Sequence, residues 1–209
     1  ELTIYGTTGH TAPDGPSDGN MFWNGDFSSG STEWGINFQY NGSGSCSFSN
    51  GRADIDITSP GDYNYSIQLA QGTLNLKKGE VYTFSFDGWA EGNRLCQVSF
   101  HEYGVDLDGD GMIWTSYASK EFSLTSTEQH FTYTFIMNED NPNTMFEMDA
   151  GTSSIACHFD NFSLTKIIRN GSNFTSAISS ATTSLSASSF KMISTPGSTN
   201  SDFSQTKMF

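Results

Sequence analysis

The chain has 209 residues, room for one domain of about 150 residues with tails or for one larger β domain. Nine Lys and Arg against 23 Asp and Glu leave a formal charge of −14. That argues against nucleic acid or an anionic membrane surface as a partner, since both need basic side chains. Only 15% of residues are charged while 14% are aromatic, which is not the recipe for a disordered acidic chain.

In chain order, Glu1–Met21 is polar and turn-rich (Pro13-Asp14-Gly15-Pro16, Asp18-Gly19) and reads as an irregular lead-in, residues 1–21. Its start lacks a basic segment followed by an apolar one, so any signal peptide is expected to have been removed. Ten strand-like runs follow, separated by Gly, Asn and Asp: Gly35–Tyr40, Ser45–Phe48, Arg52–Ile57, Tyr65–Gln71, Val81–Ala90, Leu95–Tyr103, Ile113–Leu124, Gln129–Met137, Thr144–Asp149 and Ile155–Ile167. Two-residue alternation is clear in Tyr82-Thr-Phe84-Ser-Phe86 and in Phe131-Thr-Tyr133-Thr-Phe135. No stretch approaches 18 consecutive apolar residues. Short strands at this spacing predict an all-β, antiparallel β-sandwich of jelly-roll type over residues 22–168. Residues 169–209 hold 18 Ser or Thr in 41 positions and read as a linker or tail.

Cys46, Cys96 and Cys157 permit one intramolecular disulfide with one thiol left over; which two pair is open. None lies in a Cys-x-x-Cys or beside a suitably spaced His, which disfavours zinc and redox chemistry.

Several local patterns arrive in a fixed order. Asn24-Gly25-Asp26-Phe27 precedes Trp34; Tyr65-Ser-Ile-Gln68-Leu-Ala-Gln71 leads to Leu76-Lys-Lys-Gly79-Glu-Val-Tyr82-Thr-Phe84. Phe122-Ser-Leu-Thr125-Ser comes next, and Phe146-Glu-Met-Asp-Ala-Gly151 ends in Phe159-Asp160-Asn161-Phe162-Ser-Leu164. Across residues 22–167 this resembles the carbohydrate-binding modules of family 4 and the related families 9, 16 and 22. The resemblance implies a secreted, monomeric, non-catalytic module with a binding groove across one sheet. Its implied partners are a polysaccharide chain (β-glucan or cellulose, or else xylan or mannan) and a covalently linked glycoside hydrolase.

A polysaccharide offers hydroxyls and apolar ring faces but no charge, so its site needs exposed aromatics beside amides and carboxylates. Alternation sends Trp89 outward on one run and Gln97 and His101 outward on the next, so the three are expected on one shared face. The resemblance gives Trp114 the stacking role, with Tyr117 as its alternate, and places Tyr40 on the opposite groove wall. It puts Gln71, Gln97 and Glu147 on the groove floor, and leaves Trp34 structural.

Two calcium readings arise. Asp106-Leu-Asp108-Gly-Asp110-Gly111 opens like an EF-hand loop, but Tyr117 stands where the bidentate Glu belongs. The resemblance implies a separate structural Ca²⁺ at Asp160, Asp26 and Gly51, with Ser28 where relatives often carry an acid. The rival function is a small jelly-roll hydrolase with a carboxylate pair, Glu147 with Asp149 or with Asp87. No Glu-x-Asp-x-x-Glu string supports it, and a structural or adhesin-like sandwich is the third alternative.

Overall fold

The structure, a computed structural model, describes residues 19–105 and 112–167, without the side chains of residues 103–105 and 112–114. The strands are β1 (Gly35–Phe38), β2 (Gly42–Ser49), β3 (Arg52–Pro60), β4 (Ile67–Leu76), β5 (Val81–Ala90), β6 (Arg94–Val105), β7 (Met112–Leu124), β8 (Gln129–Ile136), β9 (Asn141–Asp149) and β10 (Cys157–Lys166). A 3₁₀ turn, Asn64–Ser66, precedes β4. All ten expected runs are strands, and they form two five-stranded antiparallel sheets in the orders β1-β4-β9-β6-β7 and β2-β3-β10-β5-β8.

Local chemistry explains the hairpins and the staple that closes the sandwich. Asn50 and Gly51 both adopt positive φ (55° and 74°) between the paired residues Ser49 and Arg52, the two-residue turn that matches strand twist. The Asn24-Gly25-Asp26-Phe27 motif is likewise structural. A Cβ on Gly25 would run into the Phe162 carbonyl oxygen, so only glycine lets this segment lie on β10, where the Phe162 amide donates to the Gly25 oxygen at 2.9 Å. The Asn24 carbonyl accepts the Trp34 indole N–H at 2.9 Å, and its side-chain amide donates to the Gly30 and Thr32 oxygens.

Between the sheets lies an aromatic core of Phe22, Phe27, Trp34, Phe84, Phe86, Phe100, Phe146 and Phe162. Each ring buried this way contributes about 1.5–3 kcal/mol. Tyr82, Phe84, Phe86, Cys96, Val98 and Phe100 all point inward as their alternation predicts, and Trp34 is core.

Two expectations need correction. No disulfide forms among Cys46, Cys96 and Cys157, all three being free. Cys46 and Cys157 both align with Ile55 from opposite sides, so they stand two strand spacings apart, about 9–10 Å. A disulfide needs Cα atoms within about 7 Å. Cys96 belongs to the other sheet, across a core about 10 Å thick. The second correction concerns β5 and β6. They are consecutive in sequence but lie in different sheets, so Trp89 does not share a face with Gln97 and His101. Residues 1–18, the tail from 168 and the Asp106, Asp108, Asp110 loop lie outside the described residues.

Candidate functional site

The sheet β1-β4-β9-β6-β7 turns Leu69, Phe146, Val98 and Phe100 into the core, so the intervening residues form its outer face. Register then lines them up across the strands. Asn37, Gln68, Asp149, Gln97 and Glu121 make one row, and Gly35, Ala70, Glu147, Ser99 and Ser119 the next. His101 and Met145 follow on β6 and β9. The second row is built largely of small side chains around Glu147, beside the amides and carboxyls of the first row, which form the floor of the face.

These polar groups are wired together. Gln68 Nε2 donates to Glu147 Oε2 at 2.7 Å and to Asp149 Oδ1 at 3.1 Å. Glu147 Oε2 also stands 3.1 Å from His101 Nε2, and all these side chains are almost fully buried. Gln39 Nε2 bridges the Gln68 Oε1 and the Tyr65 carbonyl. Asn64 donates to Gln97 Oε1 at 3.0 Å, and Gln97 in turn donates to the Ser119 hydroxyl at 2.9 Å. Burial pushes the Asp149 carboxyl up to about 7, and the Glu147 charge adds to the rise. The hydrogen bond from Gln68 and the neighbouring His101 ring act the other way.

At one end of the floor stand three exposed tyrosines, Tyr40, Tyr63 and Tyr65, at 53%, 47% and 38% exposure. Tyr63 and Tyr65 stack face to face with centroids 4.9 Å apart and planes 3° apart. Tyr40 stands perpendicular to both, at 5.5 and 5.6 Å. Tyr40 is held at a positive φ of 47°, a conformation costly for a non-glycine residue. The loop bearing Tyr63 is fastened to the floor itself. The Gly151 amide donates to the Asn64 oxygen at 2.7 Å, and a Cβ on Gly151 would collide with the Tyr63 carbonyl oxygen. So the end of β9 that carries Asp149 also fixes the tyrosine loop.

The expected residues distribute as follows. Gln97, Glu147 and His101 lie on this outer face, and Tyr40 lies at its lip. Gln71 does not. It sits opposite the core residue Phe146, on the inward side, where its amide donates to the Trp23 carbonyl at 2.9 Å and accepts from the Trp23 N–H at 2.8 Å. Gln68, three residues earlier and of opposite parity, is the floor amide. Tyr117 packs against the core and its hydroxyl accepts from Asn141 at 2.8 Å. The Trp114 backbone pairs with Tyr103 at the far end of β7, while the Trp114 side chain lies outside the description. Trp89 stands on the other sheet, stacked on the His158 ring (5.0 Å, 21°) with the Arg52 guanidinium 5.5 Å from its ring centre. Tyr63, Tyr65, Gln68 and Asp149 were not among the expected floor and wall residues.

The implied calcium position can be tested for fit. Gly51 at its positive φ abuts the Asp26 carbonyl oxygen, 3.3 Å from where a Cβ would stand. Asp26 also lies close enough to Asp160 for its charge to help burial and Asp87 raise the Asp160 carboxyl. Such hard oxygen donors suit Ca²⁺. Among the described residues no three carboxylate, imidazole or thiolate side chains converge, so a cation here would lean on carbonyl oxygens.

Known proteins share this fold. Residues 19–154 match the family model described as Carbohydrate binding domain, which joins families 4 and 9. A solved family 4 carbohydrate-binding module shares 23% identity and a TM-score of 0.61 over 69% of this chain and 99% of its own. The N-terminal cellulose-binding domain of Cellulomonas fimi β-1,4-glucanase C shares 15% over 66% and 90%, at a TM-score of 0.50. A putative sugar-binding protein of Bacteroides thetaiotaomicron shares 12% over 69% and 92%, at 0.51. At these identities the likeness is one of fold. No curated protein matches the chain. With the family model covering most of its length and the whole sandwich formed, this chain belongs to the carbohydrate-binding domain family and is a non-catalytic binding domain.

Proposed function

We propose that the domain binds a single chain of a plant cell-wall polysaccharide of the β-glucan or cellulose type, laid across the sheet β1-β4-β9-β6-β7. One observation carries this reading: a row of amides, hydroxyls and carboxyls crosses the strands beside three exposed tyrosines. Hydroxyl-rich rings need both kinds of surface, donors and acceptors for their edges and π-faces for their C–H faces. In this reading the protein is secreted and the domain brings an attached glycoside hydrolase to its substrate. Ca²⁺ at Asp26, Gly51 and Asp160 ties the N-terminal staple to β10 without touching the sugar.

Affinity electrophoresis through gels containing hydroxyethylcellulose, barley β-glucan, laminarin, xylan or mannan tests this directly. Retardation by a β-1,4-linked glucan supports the reading. Retardation by mannan or xylan alone moves the ligand to another backbone, and migration unchanged in every gel overturns it.

A further inference from the structure

We propose that the buried pair Glu147 and Asp149 makes this face a charge filter, admitting uncharged polysaccharide chains and rejecting chains of the same backbone that carry carboxylate groups. The inference rests on the binding face proposed above and adds what that face excludes.

The pair sits at the middle of the polar rows, one residue facing Gln68 and Gln97 and the other facing Ala70 and Ser99. Glu147 and Asp149 are 2% and 4% exposed, so any charge they carry on this face is buried. Buried charge is screened by salt much less than exposed charge. The side chains that act on the Asp149 carboxyl are Gln68, Glu147 and His101, and the His101 ring stands 3.1 Å from Glu147. Arg94, a buried guanidinium far away in sequence, is turned to the Ala150 and Ile155 carbonyl oxygens. Glu121, in register with Gln97, adds a further acid to the same face.

An uncharged ring can donate hydroxyl protons toward carboxylate oxygens, and such charge-assisted bonds are the stronger ones. A uronate or carboxymethyl group has no proton to donate and brings a second negative charge to the first. Like charges set against each other across a contact suppress the wrong partner. Gln68 cannot offset this, because its amide protons are already used by the two carboxyls.

The test uses the full chain and matched polymers: hydroxyethylcellulose against carboxymethylcellulose, and arabinoxylan against glucuronoxylan. At physiological salt and pH 8, where the Asp149 carboxyl is ionised, the neutral polymer should bind at least about tenfold more tightly than its anionic partner. Glu147→Gln and Asp149→Asn should each shrink that ratio about threefold or more, as expected when one of two like charges is removed. Asp56→Asn, exposed on the other sheet, should leave the ratio alone. Raising salt to about 0.5 M separates a buried source from the general acidity of the protein, since exposed charges are then screened within a few ångströms. A ratio near one for the wild type, or a ratio that collapses in high salt, overturns the filter. So does a ratio unchanged in a folded Glu147→Gln or Asp149→Asn protein. Failure to bind any neutral polymer overturns instead the polysaccharide reading on which the filter stands.

Discussion

Asp149 stands directly across the β4–β9 ladder from Gln68, and the Gln68 amide donates to its carboxyl at 3.1 Å while reaching Glu147 at 2.7 Å. One side chain therefore holds two acids in place on a face that buries both. The cost of that burial appears as a raised Asp149 carboxyl, and it makes the first prediction one of pH.

A carboxyl shifted from 3.8 to about 7 binds more protons in the folded than in the unfolded chain between those values. Its contribution to stability is therefore greatest below the unfolded value and is lost as pH rises toward 7. Asp149→Asn keeps the neutral shape at every pH. The variant should match the wild-type melting temperature near pH 5 and gain on it near pH 8. A difference between the two proteins that stays constant from pH 5 to 8 would contradict the assignment.

How much of this was legible beforehand differs by feature. The strands were readable because alternation is local: Tyr82, Phe84 and Phe86 needed only their neighbours to be sent inward. Sheet membership is not local. Glu91 to Asn93 carries the chain from one sheet to the other, and nothing in those residues distinguishes a crossing from a hairpin, so Trp89 was assigned to the wrong face. The choice between Gln71 and Gln68 was readable in principle, since Ile67 and Leu69 share the parity of Gln71 and lie in the core. Tyr63 caps a 3₁₀ turn and Tyr65 lies within it, a segment with no periodicity, and the turn is held by the Gly151 contact far along the chain.

The cysteines give a second prediction. Burial is the main force raising the thiols of Cys46, to about 12, and of Cys157, to about 11, and Cys96 is raised as well. The thiolate is the reactive form, so all three should resist a thiol reagent at pH 8 in the native protein. All three should react in guanidinium. Reductant should leave the melting temperature unchanged; a drop of several degrees would reveal a disulfide.

Calcium gives a third. A cation that binds only the folded state stabilises it by about 2.7 kcal/mol when present at a hundredfold its Kd. Chelator should lower the melting temperature, and Asp160→Ala should remove the effect of both chelator and added Ca²⁺. Polysaccharide affinity should survive, because Asp26, Gly51 and Asp160 lie away from the outer face of β4, β9 and β6. Identical melting in chelator and in Ca²⁺ would remove the ion from the account.

The tyrosine cluster gives the last. Tyr63 and Tyr65 each spend one ring face on the other, and Tyr40 closes the side of the stack, so what remains for a ligand is the outer faces and edges. Burying some tens of Å² of sugar C–H surface there is worth about 1–2 kcal/mol at roughly 25 cal/mol per Å². Net hydrogen bonds from Gln97 or Ser119 to hydroxyls add about 0.5–1.5 kcal/mol each, since water already satisfied both partners. Tyr63→Ala and Tyr65→Ala should each weaken binding by about tenfold, the equivalent of 1.4 kcal/mol. Their melting temperatures should stay within a few degrees of wild type, because exposed rings contribute little to the core. Trp89→Ala, at a ring that contacts His158 and Arg52 on the other sheet, should not change affinity at all. If Trp89→Ala abolishes retention while Tyr63→Ala and Tyr65→Ala do nothing, the chain binds across β5 and β10, and the polar rows of the first sheet are structural.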